Sequence, residues 1–165
     1  MTAQTINIHQ ISKFCAIAII LHSAEFFFPT PIFGIKPGIA NIIILFTYLK
    51  FNFKSAVYVS LIRVFISSLI IGTFITPTFF ISLSGAILSL IFLFLCQFLS
   101  HQFFSIYTFS MLMGLGHILG QFILVRMFVI PDDGVFILFP IFLLFTFIFS
   151  LINAFIVSRL ISPSN

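Results

Sequence analysis

The chain has 165 residues, 61% of them hydrophobic and only 6% charged, with a net charge of +4. A chain this apolar cannot cover a soluble domain with solvated side chains, so it is read as an integral membrane protein. At about 20 residues per crossing the length admits about six transmembrane helices and leaves no room for a soluble catalytic domain. The uniformly apolar runs 17–21, 90–95 and 139–149 exclude the dyad alternation of outer-membrane strands. The expected fold is therefore all-α, a polytopic bundle of about six helices in a single domain.

In chain order, the first helix is predicted over 11–28, its apolar run following Lys13. It lacks a small-x-small cleavage site and is read as retained rather than as a signal peptide. It stops at Pro29-Thr30-Pro31, because proline donates no backbone hydrogen bond and restricts the residue before it. A loop through Gly34, Lys36 and Pro37 leads to a short second helix over 38–49, read either as a crossing or as a re-entrant segment. Lys50 to Lys54 form a basic, aromatic turn. The third helix is predicted over 55–74, ending at Thr76-Pro77, and the fourth over 79–99. The fifth extends over 104–130 and ends at the turn Pro131-Asp132-Asp133-Gly134, and the sixth runs over 135–160. Cys15 and Cys96 lie in apolar runs and read as small hydrophobic groups. Gln97 and Asn153 read as interhelical hydrogen-bonding groups, and Asp132-Asp133 as a solvated turn.

Lys13, Lys50, Lys54 and Arg159 fall on one side of this topology. The positive-inside rule then places both termini in the cytoplasm, with Lys36, the acidic turn and, near the end of the fifth helix, Arg126 opposite.

A charge at the bilayer centre costs from about 3 to more than 10 kcal/mol, so the polar residues inside these helices carry the functional question. His22 and Glu25, three apart, share a face of the first helix. They fit an ion pair or a coupling site, and Glu25 alternatively pairs with Arg63. Arg63 lies well within the third helix, and its guanidinium suits a carboxylate or phosphate held through two hydrogen bonds. His117 and Gln121, four apart, share a face of the fifth helix beside Gly116 and Gly120, a small-xxx-small pair that lets helices approach closely. Ser82, Ser84, Gly85 and Ser89 read as a similar packing face. No metal or cofactor site and no nucleic-acid partner are expected.

The segments Lys36-Pro-Gly-Ile-Ala-Asn41, Leu61-Ile-Arg63, Gly72-Thr-Phe74, Thr76-Pro-Thr-Phe79, Ser82-Leu-Ser-Gly85 and Gly116-His-Ile-Leu-Gly-Gln121 resemble, in order and spacing, the Gx transporter family, also called heptaprenyl diphosphate synthase component I. That family is similar in size and layout to the substrate-binding S components of energy-coupling-factor transporters. The proline at position 37 departs from the aliphatic residue usual there. The resemblance implies a bacterial cytoplasmic-membrane protein that binds a small molecule within the lipid bilayer, with an energising transporter module, a prenyl synthase or a redox subunit as partner. It also points to Lys36, Asn41, Arg63, His117 and Gln121 as a substrate-binding set for an anionic or amphipathic molecule. Prenyl transfer needs magnesium held by several carboxylates. Three acidic residues and no Walker loop argue against prenyl synthase or ATPase activity in this chain.

Overall fold

The computed structural model describes residues 8–27, 38–98, 105–129 and 132–162, which form helices without strands. The helices are α1 (Ile8–Phe27), α2 (Ala40–Lys50), α3 (Phe53–Ile71), α4 (Pro77–Phe98), α5 (Ile106–Leu124) and α6 (Phe139–Ile161). A π-helical turn (Val125–Val129) continues α5, and a 3-10 turn (Asp133–Ile137) precedes α6. Five of these elements are long and apolar enough to cross a membrane. The chain is thus a multi-pass, all-helical membrane protein. Lys36 and the side chain of Gln97 lie outside the described residues.

α2 is the exception among the six. Its 11 residues span about 16 Å, roughly half of a ~30 Å hydrocarbon core. Eight of them are buried, however, so it is an internal half-helix packed by protein on most sides. A helix that begins inside the bundle must find partners for its first N–H groups and the preceding carbonyls, because lipid offers none. The backbone N–H of Ala40 donates to Glu25 Oε1 at 3.1 Å, and the Gly38 carbonyl accepts from Asn153 Nδ2 at 3.1 Å.

Local chemistry places the ends a few residues from where proline and glycine alone suggest. α2 starts at Ala40 rather than residue 38, because Gly38 adopts φ +66° and cannot be helical. α3 starts at Phe53, since Asn52 caps it by accepting from Ser55 N at 2.8 Å. It ends before Gly72, whose φ of +79° makes a left-handed C-cap, and not at Phe74. α4 begins on Pro77 itself, where a missing N–H costs nothing.

The bundle has two unlike halves. At the end carrying Lys13, Lys50, Lys54 and Arg159, a continuous apolar cluster joins all six helices through Cys15, Leu45, Val59, Leu93, Phe109 and Val157. Toward the other end, α4 and α5 approach through small residues. Ser84 Oγ donates to the Gly120 carbonyl at 2.9 Å, and a Cβ on Gly120 would lie 2.5 Å from the Ser84 carbonyl oxygen. That close approach brings the polar residues of α4 and α5 up to those of α1, α2 and α3.

Candidate functional site

Six of the seven sequence-selected residues converge on one cavity. His22 and Glu25 come from α1, Asn41 from α2, Arg63 from α3, and His117 and Gln121 from α5; Gly38 and Ser82 complete the lining. Lys36, the seventh, lies outside the described residues. The cavity measures about 10 Å³, close to what a single water molecule requires. Its lining comes from α1, α2, α3, α4 and α5.

Arg63 and Glu25 are almost completely buried, at 2% and 3% exposure. Arg63 sits at mid-helix on α3 and donates from Nη1 to Asn41 Oδ1 at 3.2 Å. Its Nε is buried without a hydrogen-bond partner. Burying such a donor costs about 1–3 kcal/mol, more when the group is charged.

The two carboxylate oxygens of Glu25 are engaged differently. Oε1 accepts from the N-terminus of α2, where the helix dipole favours negative charge, and Oε2 lies 3.8 Å from His22 Nδ1. Glu25 and Arg63 line the same cavity and attract each other across it, while Oε1 of Glu25 binds the start of α2, Oε2 lies beside His22, and Arg63 donates to Asn41. The i, i+3 spacing does bring His22 to Glu25.

His117 and Gln121 meet as their spacing requires, with the Gln121 amide donating to His117 Nε2 at 3.0 Å, which leaves the proton of a neutral ring on Nδ1. Gly85 makes room for this imidazole: a Cβ there would come within 2.8 Å of His117 Cε1. Ser82 and Gly85, assigned in the sequence to a packing stripe, thus belong to the site, one lining it and one shaping it. Their spacing of three, on one face of α4, is the signal that connects them. The N-terminus of α2 has no side-chain signature and is visible only in the fold.

Beyond the polar cavity, toward the same end, lies an apolar groove of about 370 Å³ lined by Ile75, Pro77, Phe80, Leu124, Phe128 and Val129. His117, Gln121, Leu124 and Phe128 are spaced four, three and four apart, so one stripe of α5 runs from cavity to groove. The groove is bordered by two unusual backbone segments, the π turn at Val125–Val129 and Ile75 with φ +64°. The Asp132 side chain closes a turn by accepting from Gly134 N at 2.6 Å.

The family model described as heptaprenyl diphosphate synthase component I matches residues 14–160. No curated protein and no solved structure matches the chain.

Proposed function

The chain belongs to the heptaprenyl diphosphate synthase component I family, and on that premise we propose that it is a membrane-embedded substrate-binding and transport component for a small amphipathic anion. The observation that carries this reading is the buried guanidinium of Arg63, whose Nε faces no acceptor although Asn41 and Glu25 line the same cavity. A half-helix whose N-terminus opens inside the membrane suits an anionic group, as in transporters with discontinuous helices. The groove that continues the α5 stripe offers an apolar body somewhere to lie. The polar cavity measures about 10 Å³, too small for an anionic head, so ligand entry requires α2 or the outer ends of α4 and α5 to move, the binding step of an alternating-access cycle. Lys13, Lys50, Lys54 and Arg159 mark the cytoplasmic end, which puts the cavity in the outer half of the membrane. In this reading the chain itself carries out no chemistry, and energy comes from a partner module or an ion gradient.

The family's description supports a second reading, a non-catalytic accessory subunit beside a prenyl synthase or a quinone or flavin redox system. Native mass spectrometry of the gently solubilised protein separates the two. A binding component retains a stoichiometric small molecule that Arg63→Ala loses while the chain stays folded. A protein without a small molecule that retains a synthase or redox subunit, with that association intact in Arg63→Ala, overturns the transport reading in favour of the accessory one.

A further inference from the structure

The chain's three acidic residues all belong to the end of the bundle that holds the polar cavity. They are Glu25, which meets the start of α2, and Asp132 and Asp133, in the turn between α5 and α6. The other end carries Lys13, Lys50, Lys54 and Arg159, all of them exposed. A surface of one sign attracts a partner of the other.

Three of these four cations stand at the ends of stripes that face lipid. On α1, Lys13 is followed by Ile17 and Ile20; on α3, Lys54 is followed by Tyr58 and Ile62; on α6, Arg159 is preceded by Phe155 and Ile152. Steps of three and four keep each set on one helical face, and every member is exposed. Because α1 and α3 start at this end and α6 finishes at it, each stripe leads from its cation toward the membrane centre. Lys50 differs, since it ends the internal half-helix α2. Its Nζ lies 5.2 Å from the centre of the Phe46 ring, which is 9% exposed. The Arg159 guanidinium lies the same 5.2 Å from the centre of the Phe155 ring, which is 51% exposed. One cation is thus held over the interior of the bundle and the other over a ring that faces lipid.

Whatever meets Lys13, Lys54 and Arg159 must be anionic at the membrane surface and apolar below it. A soluble anion meets the first condition alone, and an acidic protein in water would seat on the helix ends, not on their lipid-facing sides. A phospholipid of net negative charge meets both, with its phosphate at the cation and its acyl chains along the stripe. Lysine and arginine lay their own stems along apolar surface and lift their heads to that level. Tyr58, one turn below Lys54, adds a phenol at the depth tyrosine prefers. We propose that Lys13, Lys54 and Arg159 are docking positions for anionic phospholipids, one headgroup at each, in the leaflet that meets the lysine-bearing end. This site stands whatever the polar cavity binds.

The test is native mass spectrometry of the full chain released from nanodiscs of equal parts phosphatidylglycerol and phosphatidylcholine, which share the phosphate and differ in net charge. A cation near the surface favours anionic lipid by about 1 kcal/mol, or about fivefold. The native chain should therefore keep up to three phosphatidylglycerol molecules, preferred about fivefold at each position, and less so in nanodiscs assembled at high salt. Lys13→Gln, Lys54→Gln and Arg159→Gln should each remove one of them, and the triple variant should retain the two lipids alike. Glutamine suits a helix nearly as well as lysine or arginine, so these exposed changes keep the fold. Lys50→Gln takes the same charge from the same end and should keep the native count. Equal retention of both lipids by the native chain overturns the proposal. So does a phosphatidylglycerol preference that survives the triple replacement, or one that Lys50→Gln lowers as much as Lys54→Gln, since net charge alone would then explain it. Loss of a bound acidic protein in the triple variant, with lipid counts unchanged, overturns it as well.

Discussion

The two halves of this bundle solve opposite problems. At the lysine-bearing end, Ala56, Val59, Leu93 and Val157 are fully buried in one apolar cluster, and the hydroxyl of buried Thr47 turns back to the Ile43 carbonyl at 2.7 Å. At the other end the separate apolar cluster shrinks to Val64, Phe79 and Ala86, and the interior is given over to Glu25, Arg63, Asn41, His22, His117 and Gln121. Lipid tails are as apolar as leucine, so packing in a membrane depends on fit, and the first half has it. The second half keeps charges that apolar residues of similar size would replace without loss of stability, and in some proteins with a gain. The contrast separates scaffold from site: changes in the first should cost stability and spare binding, and changes in the second should do the reverse.

The sharpest way to break this contrast is the paired replacement Arg63→Met with Glu25→Gln. It removes both buried charges together, so neither is stranded. Anion binding should fall by about a hundredfold or more, within the 2–5 kcal/mol typical of losing a buried charged partner. Thermal unfolding in nanodiscs should occur at the native temperature or above it. A large loss of stability in this variant would show that the charges hold the helices together, and the division between scaffold and site would fail. The complementary change is Leu93→Ala. Leu93 is 0% exposed, and truncation leaves a cavity; lipid solvates the unpacked helix almost as well as the core does, so the cost should sit at the low end of the usual range, about 2 kcal/mol. Affinity for hexanesulfonate, an amphipathic anionic probe, should be unchanged, and a loss of affinity would mean that the two halves are mechanically coupled.

Much of this architecture is legible in the chain because a membrane leaves few choices. Composition sets the class, and glycine and proline set the helix ends to within a few residues. The helical period shows that His22 shares a face with Glu25 and His117 with Gln121. What the chain conceals is which faces meet. Glu25 and Ala40 are fifteen residues apart in the chain, and only the fold shows that the Glu25 carboxylate accepts from the start of α2. Ser82 hides in a run of small residues because a packing serine and a lining serine look the same until a neighbour is placed beside them. The small residues announce that α4 and α5 approach closely, but that Gly120 meets the Ser84 carbonyl is visible only in the fold.

The smallest expected effect comes from the groove, where backbone geometry works against local stability. Ile75 holds φ +64° between the end of α3 and the start of α4 and remains 68% exposed. A β-branched residue in the left-handed region is strained by about 1–2 kcal/mol, whereas glycine adopts it freely. Little packing is lost with so exposed a side chain, and glycine's greater unfolded-state entropy offsets part of the relief. Ile75→Gly should therefore raise stability by about 1 kcal/mol or less, read as a small upward shift in thermal unfolding. If the strained turn shapes the groove for an apolar body, the same variant should bind hexanesulfonate a few-fold more weakly while methanesulfonate, which has the same head and almost no body, binds as before. Equal weakening of both probes would instead place the effect of Ile75 at the polar cavity, and the groove would lose its separate role.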